Sequence, residues 1–308
     1  MITILDGPLG TELITRGVCL DSAAWSADAI LSSPQIIRDI HHDYLHAGAM
    51  VLTANTFRTQ PSRCGDQWRD LTKQAIAIAR ERIENYLANQ KQDERQLVTP
   101  SRRDAEITAP TTRSAPRLAG SLGPVADCYR PDLSPQRLSE PEHRDMAAWL
   151  AECGCDLILC ETFANAIEAE IAVRQAARTG CETWIGLTAG HDASLMTPRA
   201  MADAASRCAE AGAGLVMVNC TAASKTLPFL AEIEKRNLGV PLGVSANAGE
   251  ASEQIGWIPN HQNQECIAAA EQYVSLAQRW VEHGASMLGG CCGCSPTHIK
   301  KLADLFTC

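Results

Sequence analysis

The feature that most constrains the fold is a repeated alternation of short apolar runs with longer segments of helical periodicity. The apolar runs lie at 2–6, 49–54, 117–121, 155–160, 183–187, 214–219, 240–246 and 285–289. Helical periodicity is found at 34–47, 66–88, 140–153, 165–179, 198–211, 224–236, 263–283 and 295–306. Several runs are continuously apolar, which is typical of strands buried on both faces of a parallel sheet.

The number of repeats selects the architecture. Eight strand–helix units within 308 residues predict an α/β protein, a (β/α)8 TIM barrel forming a single domain over residues 1–308. A doubly wound open sheet is the alternative. The barrel is favoured because the number of strand–helix units is eight, as in a closed TIM barrel, and because no glycine-rich phosphate-binding fingerprint follows the first run. One polar segment without apolar periodicity, 89–116, is predicted to be a long mobile insert before strand three.

Charge and leader patterns exclude several classes of partner. The formal net charge of -9 argues against nucleic acid and anionic membranes, because phosphate binding needs clustered Lys and Arg. No signal-peptide pattern and no apolar run of about 20 residues is present, so we expect a cytoplasmic protein. In that compartment the 14 cysteines are expected to be mostly reduced thiols. The sequence does not indicate an oligomeric state.

Polar residues cluster at the predicted strand ends. In a TIM barrel the chemistry takes place where the strands end and the βα loops begin. Here those positions hold Asp6, Asn55, the GSLGP segment at 120–124, Cys160–Glu161, Asn219–Cys220, Asn247 and Cys291–Cys292. The pattern predicts one active site at this rim.

Three of these residues suggest a metal centre. Cys220 from strand six and the adjacent Cys291 and Cys292 after strand eight would meet across strand seven. Three soft ligands and one open position are typical of catalytic tetrahedral zinc. Paired CxxC motifs and an HExxH helix are both absent from the sequence, which favours an open site over a structural one. The alternative is that Cys291 and Cys292 are ordinary thiols in a tight, glycine-rich turn.

A family resemblance supports the metal hypothesis. The motifs LDGPLGTEL (5–13), ANTF (54–57), GSLGP (120–124), ETF (161–163), VNC (218–220), NAGE (247–250) and GGCCG (289–293) together resemble the homocysteine S-methyltransferase family. That family includes betaine- and S-methylmethionine-dependent enzymes and the homocysteine module of cobalamin-dependent methionine synthase. The resemblance covers nearly the whole chain, and the pair VNC and GGCCG is its most specific part. It implies a (β/α)8 barrel and Zn²⁺ held by Cys220, Cys291 and Cys292.

The resemblance also implies a reaction, the transfer of a methyl group to the thiol of homocysteine to give methionine. A free thiol has a pKa of about 8.5, so a metal that removes its proton activates it at neutral pH. By the same resemblance, Asp6 and Glu161 bind the homocysteine ammonium. Thr11, with backbone N–H groups of the 7–11 loop, is a candidate for holding the carboxylate. Asn55 and Asn247 are candidates for orienting loops or substrate.

The sequence constrains the identity of the methyl donor less than that of the acceptor. Cationic donors favour aromatic walls, and Trp25 and Phe57 are the candidates. Arg58 stands where the betaine-dependent branch resembles Phe-Tyr, and its charge would repel a trimethylammonium unless the donor carboxylate faces it. A small sulfonium donor, S-methylmethionine or S-adenosylmethionine, is therefore favoured, with betaine or a corrinoid protein as alternatives.

Two other classes of function remain open. A non-catalytic zinc- or thiol-binding relative would use Cys294 or Cys308 as a fourth ligand. A Schiff-base aldolase would need a lysine inside the barrel, and none of the predicted strand ends carries one. Selenocysteine is an alternative acceptor, because the metal site would accept either chalcogen.

Overall fold

Eight parallel strands form the centre of the computed structural model, which describes residues 2–22, 24–97, 114–248 and 264–307. Their order in the sheet is β1-β8-β7-β6-β5-β4-β3-β2. A parallel bridge from Leu5 to Val51 joins the two outer strands and closes the barrel. The strands are β1 (Thr3–Ile4), β2 (Val51–Ala54), β3 (Arg117–Leu122), β4 (Leu157–Phe163), β5 (Glu182–Leu187), β6 (Leu215–Ala222), β7 (Leu242–Asn247) and β8 (Ala285–Gly290).

Helices surround this barrel. Within the described residues they are α1 (Leu9–Thr15), α2 (Ala29–Ser32), α3 (Pro34–His46), α4 (Pro61–Cys64), α5 (Trp68–Leu97), α6 (Glu140–Glu152), α7 (Ala166–Ala177), α8 (Pro198–Glu210), α9 (Ala223–Glu234), α10 (Gln264–Glu282) and α11 (Pro296–Phe306). Short 3₁₀ segments cover Trp25–Asp28, Gly65–Gln67, Pro131–Leu133 and Gln136–Ser139. In the part of the chain that the structure describes, no helix is both long and apolar enough to cross a membrane.

Alternating side chains of each strand divide between two cores. In β4, Leu157 and Leu159 point into the barrel, whereas Ile158 and Cys160 pack against the helices. The interior is filled mainly by Leu5, Val51, Ala119, Leu157, Leu159, Trp184, Leu215, Met217 and Met287. The filled interior leaves space for ligands only at the strand ends.

The eight-strand barrel predicted from the sequence is confirmed. One boundary prediction was wrong, because α5 continues to Leu97 and residues 89–97 are helical rather than part of a loop. The segment consists of good helix formers such as Glu, Gln, Lys and Leu, which can form a solvated helix without an apolar stripe. Residues 98–113 of the predicted insert lie outside the described residues.

Candidate active site

A cavity of about 570 Å³ opens at the carboxyl ends of the strands. The structure brings almost all of the predicted site residues together in its wall. They are Asp6, Thr11, Trp25, Asn55, Phe57, Arg58, Glu161, Cys220, Cys291 and Cys292. Asn247 does not line the cavity and lies behind Cys220 instead.

The three predicted metal-binding thiols converge in this cavity. Their Sγ atoms all lie within 4.8 Å of one another, and 4.0 Å separates the Sγ atoms of Cys220 and Cys292. Tetrahedral zinc with Zn–S bonds of about 2.3 Å would place its sulfurs about 3.8 Å apart, so the spacing fits. Cys220 and Cys291 are joined as a disulfide, with Cα atoms 5.5 Å apart. The disulfide must be reduced before both can bind a metal. The other ten cysteines whose side chains the structure describes are free thiols, in line with the expectation that the cysteines are mostly reduced.

The glycines beside Cys291 and Cys292 allow the chain to approach its neighbours closely. A Cβ at Gly289 would lie 2.8 Å from Cβ of Leu5, and one at Gly290 would lie 2.6 Å from Cβ of Cys294. Real Cβ atoms do not approach that closely, so both positions require glycine. Backbone N–H of Cys291 donates to the carbonyl of Ala246, which fixes the turn to β7.

Matching bulges deform the ends of β4 and β6. In each strand one extra residue is inserted relative to the neighbouring strand, between Cys160 and Phe163 and between Asn219 and Ala222. Thr162 and Cys220 have positive φ values of 64° and 47°. Such bulges redirect side chains next to functional sites. The sequence analysis ended both strands before the bulges.

The Asn219 side chain connects the two bulges. Its Oδ1 accepts from the backbone N–H of Thr162 at 3.2 Å, and its Nδ2 donates to the Thr162 hydroxyl at 2.9 Å. A Cβ at Gly186, on the strand between them, would lie 2.8 Å from this amide. Asn219 thus fixes the residues that follow Glu161 and precede Cys220.

Replacing Asn219 with alanine is expected to weaken metal retention and raise the KM for homocysteine together, each by about 10-fold or more, since two buried hydrogen bonds are lost. Metal content after dialysis and steady-state kinetics measure the two effects. Ser286→Ala is the matched control, because the hydrogen bond found for that hydroxyl among the described residues goes to the Leu242 carbonyl, at the start of β7. Unchanged metal retention and KM in a folded Asn219→Ala variant would contradict the role.

Asp6 and Glu161 place two carboxyl groups in the cavity wall. Asp6 accepts from the backbone N–H of Thr53 at 2.7 Å and from its hydroxyl at 2.8 Å, and Glu161 accepts from the Ser121 hydroxyl. Burial raises the pKa of Asp6 to about 7 against the lowering effect of the Thr53 hydrogen bonds. Burial likewise raises the pKa of Glu161 to about 7. Buried acids of this kind are stabilised as anions by an incoming cation.

Aromatic rings form another wall of the cavity. Trp25 and Phe57 meet edge to face with ring centroids 6.4 Å apart. Trp25 lies over Gly10, where a Cβ would come within 2.1 Å of the ring. Asn55 donates to the carbonyl of Ser26 at 2.7 Å and so orients the segment that carries Trp25. Of the two roles considered for Asn55, the contacts match loop orientation.

Asn247 and Thr11 hold the cysteine-bearing loops. Nδ2 of Asn247 lies 3.1 Å from the Cys220 carbonyl and 3.0 Å from Nδ1 of His191. Its buried Oδ1 has no hydrogen-bond partner among the described residues. The Thr11 hydroxyl accepts from the backbone N–H of Gly293 at 3.4 Å. Both contacts stabilise the loops on either side of the three thiols.

Tyr129 and His191 also belong to the cavity wall, although the sequence did not indicate either residue. Their rings stack with centroids 4.2 Å apart, both line the cavity, and the Tyr129 hydroxyl hydrogen-bonds Cys292. His191 follows β5, the one strand for which no polar terminal residue was noted. Tyr129 lies in the irregular segment after β3, where no periodicity signals a function.

A fourth sulfur ligand is not supported for Cys294. Its Sγ is buried and lies 3.6 Å from the Ala246 carbonyl, as expected of a donor to that backbone oxygen. The three-thiol cluster identified among the described residues consists of Cys220, Cys291 and Cys292 alone. Cys308 lies outside the described residues.

Fold and site together define a (β/α)8 barrel enzyme with a three-thiol centre beside two carboxylic acids. The family model for homocysteine S-methyltransferases matches residues 3–306. The chain belongs to the homocysteine S-methyltransferase family and is a methyltransferase.

Individual relatives agree along nearly the full length. The chain is 32% identical to homocysteine S-methyltransferase YbgG of Bacillus subtilis, covering 98% of this chain and 93% of the relative. It is 28% identical to selenocysteine Se-methyltransferase of Brassica oleracea, covering 97% and 87%. The metallated form of the Escherichia coli homocysteine methyltransferase MmuM superposes with a TM-score of 0.75 and 25% identity, covering 99% and 96%.

Proposed function

We propose that this protein transfers a methyl group from a small sulfonium donor to the thiol of homocysteine, giving methionine, with Zn²⁺ as its metal. The observation that carries the proposal is the convergence of three thiols and two carboxyl groups in one cavity. The thiols suit a soft metal, and the carboxyl groups suit the ammonium group of an amino acid.

Cys220, Cys291 and Cys292, once reduced, would hold the zinc, and their spacing is compatible with three positions of a tetrahedron. Bound there, zinc would lower the pKa of a substrate thiol and make it nucleophilic at neutral pH.

The surrounding residues bind and align the acceptor. Asp6 and Glu161 are proposed to pair with its ammonium group, which removes the cost of holding two anions in a buried wall. Thr11 and the N–H groups at the start of α1 are proposed to bind its carboxylate. Fixing both ends aims the sulfur at the donor methyl group and reduces the entropic cost of reaction.

The donor is proposed to lie against Trp25 and Phe57. The faces of aromatic rings attract a sulfonium cation. S-methylmethionine and S-adenosylmethionine both carry a sulfonium cation. The half-buried guanidinium of Arg58 would repel a donor whose cation lies next to Arg58. Trp25 is the more favourable ring for the cation, because the Arg58 guanidinium already lies over the Phe57 ring.

A donor panel tests the proposal. Reduced, zinc-loaded protein is supplied with homocysteine and, separately, S-methylmethionine, S-adenosylmethionine, betaine and methylcobalamin. Methionine formation from a sulfonium donor is the expected result, with selenocysteine as a second acceptor to test chalcogen choice. A protein that binds zinc but forms methionine from none of the donors would contradict the proposal.

X-ray absorption separates the enzyme from a non-catalytic zinc-binding relative. Adding homocysteine is expected to raise the sulfur coordination of the zinc from three to four. An unchanged sulfur shell would favour the non-catalytic alternative.

A further inference from the structure

Two arginines lie together at the aromatic side of the cavity. Arg58 and Arg63 both contribute to its wall, and each is half-buried. The proximity of Arg63, together with burial as the larger cause, lowers the pKa of Arg58. Two adjacent guanidinium groups in a partly desolvated wall repel each other unless an anion lies between or beside them.

Loop carbonyls hold the Arg58 guanidinium in place. Nη1 donates to the Ala126 carbonyl at 3.0 Å, and Nη2 lies 3.8 Å from Sγ of Cys128. The guanidinium lies over the Phe57 ring, 4.7 Å from its centroid. The hydrogen bonds found for Arg58 among the described residues use only the Nη atoms.

Arg63 is fixed in the same way. Its Nη2 donates to the Val125 carbonyl at 3.2 Å. Its Nε is buried and has no hydrogen-bond partner among the described residues. Because this atom has no accessible surface, Arg63 would act on a ligand through the charge of its side chain, which lines the cavity.

Local acids do not neutralise this pair. Asp127 also contributes to the cavity wall and raises the pKa of Arg58, but it is exposed, and its carboxylate accepts from the backbone N–H of Tyr129 at 2.9 Å. Solvent screens an exposed charge. Asp6 and Glu161 are assigned to the acceptor ammonium, on the side of the three thiols.

We propose that Arg58 and Arg63 form a carboxylate-binding subsite that selects methyl donors bearing a carboxylate, such as S-methylmethionine. The inference rests on the proposed function, because it assigns the second half of the same cavity. Guanidinium groups bind carboxylates through paired, charge-assisted hydrogen bonds. Trp25 would then receive the sulfonium while the arginines receive the opposite end of the donor.

The test compares S-methylmethionine with its carboxamide, which keeps the sulfonium and loses the negative charge. Wild-type enzyme is expected to prefer S-methylmethionine by about 10- to 100-fold in kcat/KM, as for loss of a charged hydrogen bond. Arg58→Gln is expected to reduce that preference to near unity, and Arg58→Lys is expected to restore part of it. Arg144→Gln, a change of an exposed arginine on α6, is the matched control and should keep the wild-type preference.

Donor binding is measured separately from turnover by calorimetry with the same two compounds. A binding preference for the carboxylate that Arg58→Gln abolishes supports the subsite even if no methyl group is transferred, in which case only the proposed function fails. Equal binding of the two donors by the wild type would overturn the inference. It would also be overturned if Arg58→Gln or Arg63→Gln raised the KM for homocysteine and left the donor preference unchanged, since the arginines would then serve the acceptor.

Discussion

Replacing Cys291 with alanine is expected to remove bound metal and methyl transfer together. The variant leaves two sulfurs at a position where three converge within 4.8 Å, so a tetrahedral ion loses a strong ligand. Without the metal, only about 3% of a thiol with a pKa of about 8.5 is ionised at pH 7, and the sulfur is no longer aligned, so activity should fall by about thirtyfold or more. Metal content by atomic emission and methionine formation under reducing conditions measure both effects.

Cys294→Ala provides the control for this variant. Cys294 is buried three residues along the same loop, but its thiol faces the Ala246 carbonyl rather than the cavity. This control should therefore retain metal and most of the activity. A Cys291→Ala protein with wild-type metal content and wild-type turnover would rule out the three-thiol centre.

The barrel and its rim could be predicted from the sequence because they depend on short-range patterns. Each buried strand is an apolar run, and the residue at its end, such as Asp6 or Glu161, is identified by position alone. The pairing of Cys220 with Cys291 and Cys292 followed from counting strands. No side-chain geometry was needed for that step.

Features that depend on contacts between distant segments could not be predicted. The bulges at Thr162 and Cys220 are stabilised by Asn219, which fits only because position 186 is glycine. No spacing rule links residues 57 apart in the chain. Tyr129 reaches Cys292 from an irregular segment in the same way. The extension of α5 over residues 89–97 was not predicted for a different reason, because periodicity detects apolar faces and this segment of the sequence has no apolar periodicity.

Replacing Glu161 with glutamine is the second change with a large expected effect. The amide can still accept from the Ser121 hydroxyl, but it carries no charge for the substrate ammonium. The KM for homocysteine should rise by about 10- to 100-fold, as expected for loss of a charge-assisted pair, with metal content unchanged. Glu182→Gln, which changes an exposed carboxylate paired with Arg117 at the opposite end of the barrel, should leave the KM unchanged.

The pH dependence distinguishes this electrostatic role from a packing role. Because the pKa values of Asp6 and Glu161 are raised to about 7, both carboxyl groups lose their charge as the pH falls below 7. The wild-type kcat/KM for homocysteine should therefore decline from pH 8 to pH 6, and more gradually in Glu161→Gln.

The free energy of unfolding of the substrate-free protein changes with pH in the opposite direction. A raised acid pKa means that the folded state binds protons more tightly than the unfolded state, so substrate-free protein loses stability as the pH rises from about 4.5 to 7. Glu161→Gln should be more stable than wild type at pH 8 by about 2 kcal/mol and equal to it near pH 4. Denaturant titrations at the two pH values measure this difference, and an equal stability change at both would show that Glu161 is not a buried ionising group.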